Sequence, residues 1–178
     1  MAATEQVILV NEMDQIQGSA EKLEAHRQGW CHRAFSVFIY RLREEREFLL
    51  QQRAKNKYHS PNLWTNTCCS HPRPGENTQT GAERRLFEEM GLRIPLRPLG
   101  YFHYVAHFEN GLTENEVDHV FIGELTSELI QPDSEEAQAY QWLTLQALEK
   151  AIKEKPANFT PWLIKVMRLV KSNTNDYP

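Results

Sequence analysis

The chain has 178 residues, 40% of them hydrophobic and 25% charged, a globular composition at single-domain length that excludes a disordered linker. Its 20 Lys and Arg against 24 Asp and Glu give a formal net charge of −4, so no global field draws nucleic acid or anionic lipid and any anion site has to be local. Apolar runs such as residues 34–40 break off far short of the roughly 20 residues that span a bilayer, and the opening MAATEQVILVNEMDQ is acidic where a signal peptide is apolar, so a cytoplasmic protein away from membranes is expected.

Residues 6–10 (QVILV) are apolar and β-branched, and turn formers follow through Gly18, which predicts an edge strand and hairpin. Residues 34–40 (AFSVFIY) and 47–52 (EFLLQQ), separated by the charged RLREER, predict a second hairpin. From Glu76 to Met90 there is neither Pro nor a β-branched run, Ala82 and Leu86 lie four apart, and Gly91 stands where a C-cap glycine belongs, which predicts a helix. Residues 99–108 and 117–125 read as strands, 145–153 as a helix, and 159–170 as a last helix with Pro161 in its first turn. The polar residues 172–178 are expected to fray. With no internal repeat and no Pro/Gly/Ser linker, residues 1–178 read as one domain: an N-terminal extension over 1–33, a core over 34–170 and a tail over 171–178. The fold class expected is an α/β (α+β) sandwich, a mixed sheet flanked by helices.

Three local patterns carry chemistry. Glu114 and Glu116 flank Asn115, so in an extended segment both carboxylates project to one side. Together with His26, His32 and His71 they make a donor set suited to a five- or six-coordinate divalent ion rather than to a closed tetrahedral zinc. The other histidines, His59, His103, His107 and His119, read as structural or surface residues. In TNTCCSHP (65–72) a strand turns Cys69 and His71 to one side and Cys68 to the other, while Cys68 and Cys31 read as small buried apolar residues. Three cysteines, two of them adjacent, make a disulfide framework unexpected. The third pattern is SHPRPGENTQTGAERRLFEEMGL (70–92), where Arg84 and Glu88, and Arg85 and Glu89, lie at i and i+4 on a helix surface. Alone, that is a solvated face with two surface ion pairs.

The last run resembles the Nudix box, a loop–helix–loop that holds Mg²⁺ and a diphosphate. Ser70 replaces the box's opening glycine, and Arg84-Arg85 replaces its Arg-Glu pair. Arg85 removes one carboxylate of the cluster with which Nudix hydrolases bind metal and activate water. An arginine there pairs with phosphate oxygens instead.

Taken in order, QQRAKNKY, LWTNTCCSHP, this helix, TENEV and the late FTPW resemble the type 1 isopentenyl-diphosphate isomerase family, from about Val7 through Trp162. The resemblance implies a Nudix-like sandwich that interconverts isopentenyl and dimethylallyl diphosphate by protonation and deprotonation, with no redox cofactor. It implies that His26, His32, His71, Glu114 and Glu116 hold one divalent ion (Mn²⁺, Zn²⁺ or Mg²⁺), and that Glu89 with the Cys69 carbonyl holds the Mg²⁺ that accompanies the substrate diphosphate. Lys22, Arg53, Lys57 and Arg85 correspond to the cations around that diphosphate. Cys69 and Glu116 correspond to the catalytic pair, with Tyr104 beside Glu116 and Trp162 over the hydrocarbon end. The expected partner is a small-molecule diphosphate, with no nucleic acid and no membrane, and the expected state is a monomer. The competing readings are a Nudix-type diphosphohydrolase and a non-catalytic metal- or nucleotide-sensing module.

Overall fold

The computed structural model describes residues 4–127 and 129–174. One long strand organises it. β3 (His32–Leu42) pairs in parallel along one edge with β8 (Thr113–Glu124), from His32↔Glu116 to Tyr40↔Glu124. Its other edge is shared by three partners in succession. These are β1 (Gln6–Val10) at Leu9↔His32, β6 (Cys68–Ser70) from Phe35↔Ser70 to Val37↔Cys68, and β4 (Arg46–Arg53) from Tyr40↔Phe48 to Leu42↔Arg46. β2 (Ile16–Glu21) extends β1, β7 (Arg97–His107) lies outside β8, and β5 (Trp64–Thr65) and β9 (Ala137–Thr144) pair with β4. The result is one mixed, nine-stranded sheet. The hairpin expected at 34–52 forms only at its turn, because β4 leaves β3 after three residue pairs and β6 takes the vacated edge.

Strand alternation then sorts the side chains. Phe35, Val37 and Ile39 pack with Ala82, Leu86 and Met90 of α2 (Thr78–Met90). Phe38, Val120 and Ile122 pack on the opposite face with Leu163, Val166 and Val170 of α4 (Leu163–Thr174). Each fully buried side chain of this kind stabilises the fold by about 1.5–3 kcal/mol, so the two helices clamp the sheet from both sides and the expected sandwich is formed.

Local chemistry sets the helix ends. The Asn77 side chain accepts from the backbone N–H groups of Gln79 and Thr80, so α2 starts at Thr78, two residues later than expected. Glu76 stays in the preceding turn, where it accepts from the Arg73 N–H and the Arg84 guanidinium. Gly91 closes the helix at φ 71°, as expected. The last helix differs more. A 3-10 turn at Pro156–Asn158 is followed by a bridge between Phe159 and Trp64 and by the Thr160 N–H donating to the Trp64 carbonyl, so α4 begins only at Leu163 and Pro161 lies ahead of it. At its other end α4 continues to Thr174, through the first residues expected to fray; residues 175–178, like 1–3, lie outside the described residues. α3 (Leu145–Glu154) matches the expected helix to within one residue. Unforeseen were α1 (Lys22–Gln28), which at seven residues is too short to show a period, and β9. No described helix is long and apolar enough to cross a membrane.

Candidate active site and metal centre

Register brings the predicted residues together. His32 on β3 and Tyr104 on β7 both lie opposite Glu116 on β8, and four residues further along β3, Ser36 lies opposite Cys69 on β6. Glu114, Glu116 and Asp118 share one face of β8 with Val120 and Ile122, so a face that begins as acidic site becomes core under α4. His26 arrives from α1 and His71 from the end of β6. His71, Glu114, Glu116 and Asp118 line a cavity of about 700 Å³ whose wall also includes Cys69, Tyr104, Arg53 and Trp162.

Ligand atoms of His26, His32, His71 and Glu116 all lie within 4.8 Å of one another. His71 Nε2 is 2.9 Å and His32 Nε2 is 3.2 Å from Glu116 Oε1. Nδ1 of His26 faces the Lys22 carbonyl at 2.7 Å and Nδ1 of His32 faces the Trp30 carbonyl at 2.8 Å. A carbonyl only accepts, so each Nδ1 carries the proton and each Nε2 points its lone pair inward. Both Nε2 atoms are buried without a hydrogen bond, which is the expected condition of a divalent-ion site and an unfavourable one for a plain core. Burial, followed by the neighbouring His32, pushes His26 down to about 4. Burial likewise pushes His71 down to about 4, against the pull of Glu116. Burial alone would raise Glu116, but His32 and His71 outweigh it and hold this carboxyl well below its ordinary range.

Glu114 sits in an adjoining group. Its Oε2 accepts from the Tyr104 hydroxyl at 2.5 Å, while Oε1 lies 3.0 Å from His59 Nε2, and His26, His59 and Glu114 form a second set of ligand atoms within 4.8 Å. The same hydroxyl lies 2.7 Å from Glu116 Oε2, so its one proton is shared between the two carboxyl groups. Burial and the two carboxylates push Tyr104 well above its ordinary pKa, so it remains a donor. His59, read from the sequence as structural, is thus part of the site; it comes from an irregular loop where no periodicity could have marked it.

The Cys69 sulfur is held from several sides. Its thiol donates to Asn66 Oδ1 at 3.1 Å, and it accepts from Trp162 Nε1 at 3.1 Å and from Ser36 Oγ at 3.7 Å. Asn66 Nδ2 donates to the Val37 and Cys68 carbonyls at 3.1 and 2.9 Å, which fixes its oxygen toward the sulfur. Burial first, then the Asp118 carboxyl, pushes the Cys69 thiol up to about 12. Cys68 is fully buried on the other face, in the cluster with Leu86 and Met90, as expected. Neither Asn66 nor Asp118 was marked by the sequence.

The four predicted cations differ in how far they are neutralised. Lys22 pairs with Glu5 at 2.9 Å, and Lys57 pairs with Glu136. Arg85 pairs with Glu88 at 2.9 Å, Glu89 at 2.8 Å and Glu136 at 3.0 Å. Arg53 is 9% exposed and donates to the Ser60 and His59 carbonyls at 3.1 and 3.2 Å, with no carboxylate partner among the described residues.

A NUDIX domain model matches residues 32–163. An isopentenyl-diphosphate Delta-isomerase from Photobacterium profundum is 46% identical over 173 residues, 96% of either chain. Another from Pectobacterium atrosepticum is 45% identical over 157 residues, 88% of this chain and 86% of that one. The chain belongs to the isopentenyl-diphosphate Delta-isomerase family. Among solved structures, a Deinococcus radiodurans protein superposes with a TM-score of 0.75 at 18% identity, covering 92% of this chain and 98% of that chain. A Caenorhabditis elegans Ap4A hydrolase superposes at 0.59 with 21% identity, covering 82% and 98%. At such identities the likeness is one of fold.

Within this isomerase-family chain the Nudix helix is occupied internally. Glu76 is clamped by Arg84 at 2.8 and 2.9 Å, Glu88 pairs with both arginines, and Glu89 accepts from Arg85 and Gln51. Groups of three or more His, Cys, Asp or Glu ligand atoms brought together among the described residues lie at the His/Glu centre, which is compatible with a divalent ion.

Proposed function

We propose that the chain interconverts isopentenyl and dimethylallyl diphosphate by adding one proton and removing another. The observation that carries this reading is that Cys69 and Glu116 line one cavity, the thiol held by Asn66 and Trp162 and the carboxylate by Tyr104, His32 and His71. Moving a double bond by one carbon needs a donor and an acceptor at the same time, and each turnover exchanges their roles.

One carrier gives a proton to the terminal alkene carbon, leaving a tertiary cationic carbon, and the other takes a proton from the carbon two bonds away. Trp162 offers that cation an aromatic face, worth about 2 kcal/mol in a dry site, toward the roughly 8–23 kcal/mol by which enzymes lower barriers. The Tyr104 hydroxyl bridges Glu114 and Glu116, its one proton shared between them, and holds them in orientation. The residues that would hold the divalent ion are His26, His32, His71, Glu114 and Glu116, and the unpartnered Nε2 atoms support that fit. A divalent ion bound there supplies positive charge that fixes Glu116 and tunes its acidity; Mn²⁺, Zn²⁺ and Mg²⁺ all suit the donors. Arg53, with Lys22, Lys57 and Arg85, would bind the diphosphate, joined by a Mg²⁺ held by Glu89 and the Cys69 carbonyl. Arg53 lacks a counter-charge that a diphosphate provides, and binding energy gained at that remote group serves orientation at the reacting carbons. We take the working form to be a cytoplasmic monomer that acts on this small molecule without nucleic acid or membrane.

The test is proton NMR of the metal-loaded protein with isopentenyl diphosphate and Mg²⁺ in D₂O. Loss of the exomethylene signal with deuterium entering the new methyl group is the expected outcome. A folded, metal-loaded sample that gives no conversion, or that releases phosphate, overturns the reading.

A further inference from the structure

The loop after β4 spends strain to place one imidazole. Ser60 is a non-glycine residue at φ 48°, a region that is uncommon for it and that persists only when the surroundings hold it. What holds it is Arg53, whose guanidinium grips the His59 and Ser60 carbonyls. The His59 ring stacks on Phe108 with centroids 4.9 Å apart and planes 17° apart, and meets Trp162 edge-on at 6.1 Å. Packing alone would be met by a phenyl ring. The feature packing does not account for is Nε2, 3.0 Å from Glu114 Oε1 in a residue only 6% exposed.

We infer that His59 is a further ligand of the divalent ion, giving this chain a centre of four imidazoles and two carboxylates that prefers borderline transition ions to Mg²⁺. The inference rests on the metal centre proposed above and extends it. Ligand atoms in adjacent octahedral positions, with bonds of about 2.1 Å, lie about 3 Å apart. His59 to Glu114 at 3.0 Å, His71 to Glu116 at 2.9 Å and His32 to Glu116 at 3.2 Å share that spacing. His26 belongs to both groups of ligand atoms. Its Nδ1 is committed to the Lys22 carbonyl, so it has one lone pair to give, and that lone pair is unpartnered. One lone pair serves one ion, so His26 cannot hold two ions at once, and on binding the His59–Glu114 group would close onto the ion that His26 shares with His32, His71 and Glu116. Each nitrogen added to a site with two carboxylates moves its preference away from hard Mg²⁺, which favours oxygen and water, toward Mn²⁺, Co²⁺ or Zn²⁺.

The experiment uses full-length protein stripped with chelator and titrated separately with Mn²⁺, Zn²⁺ and Mg²⁺, in the wild type and in His59→Gln, His59→Ala and His71→Ala. Both His59 variants are expected to bind Mn²⁺ and Zn²⁺ about tenfold or more weakly, with a smaller loss for Mg²⁺. Pulsed EPR of the Mn²⁺-loaded wild type is expected to count four coordinated imidazole nitrogens, and three in His59→Gln. A count of three in the wild type overturns the assignment whatever the variants do, as does unchanged Mn²⁺ affinity in a folded His59→Gln. If His71→Ala also leaves affinity unchanged, the metal centre itself falls; if only His71→Ala loses the ion, the centre stands and His59 alone is removed from it.

Discussion

The indole N–H of Trp162 donates to the Cys69 sulfur at 3.1 Å, while the thiol donates to Asn66 Oδ1 at the same distance. An acceptor favours the thiol and a donor favours the thiolate, so the sulfur has a partner in either protonation state, as a group that gives and regains a proton requires. Trp162→Phe keeps an aromatic wall and removes the donor. A hydrogen bond to a charged group is worth about 1.5–3 kcal/mol, so turnover at saturating substrate should fall by about tenfold to a hundredfold in a folded protein. The rate of exomethylene loss measures this, and an unchanged rate removes Trp162 N–H from the chemistry.

All three thiols are held in their neutral form. Burial, followed by nearby carboxylates, pushes Cys31 up to about 11 and Cys69 up to about 12, and raises Cys68 well above its usual value. The thiolate is the nucleophile, so iodoacetamide at pH 8 should modify each cysteine at least about a hundredfold more slowly than in the unfolded chain. The sign for stability follows. Unfolded thiols ionise near pH 9 and folded ones higher, so the protein loses stability as pH rises from 9. Peptide mass spectrometry across pH 7 to 10 should find rates rising with no plateau, and a plateau near pH 8 at Cys69 contradicts its placement.

Much of the site was legible before the fold because its residues sit in short ordered motifs. Cys69 and His71 stand two apart in a segment that reads as a strand, as do Glu114 and Glu116, and strand alternation puts each of those carboxylates and Cys69 toward the cavity. Three features were illegible. α1, which carries Lys22 and His26, spans under two turns and rests on the Glu21 side-chain cap. His59 is placed by Arg53 reaching backbone carbonyls, an interaction with no sequence period. Glu136 neutralises Lys57 and Arg85 from 51 or more residues away, so it reads as one more surface acid until β9 is paired with β4.

Stripping the ion should make the protein acid-labile. His26 and His71 are held down at about 4, whereas unfolded imidazoles titrate near 6.5. Below pH 6.5 the unfolded chain binds those protons first, so stability is lost as pH falls from 6.5 toward 4. His32, which burial lowers and Glu116 raises more, acts in the opposite direction, while Glu116, held low, adds to the loss as pH falls. Thermal unfolding of chelated protein at pH 7, 6 and 5 should show a falling midpoint, while metal-loaded protein, whose ion competes with the protons, should fall less. Equal slopes with and without the ion would mean that these imidazoles are not its ligands.

The cations around the cavity should rank by how far they are already neutralised. Lys22 has Glu5 and Lys57 has Glu136, so each lysine is already engaged by a carboxylate before an anion arrives. Of the four predicted cations, Arg53 alone has no carboxylate partner among the described residues; it bonds two carbonyls and lies 5.5 Å from the Trp162 ring, so its positive charge is the least neutralised of the four. Arg53→Lys keeps the charge but loses the planar fork that spans two carbonyls, which should lower stability by about 2 kcal/mol through the His59–Ser60 turn. Arg53→Gln loses both, and should raise KM for the diphosphate by at least about tenfold more than Lys22→Gln does. Steady-state kinetics on the two glutamine variants decide the matter, because a larger KM effect at Lys22 would mean that the diphosphate is held at the Lys22 side of the cavity and that Arg53 serves the loop alone.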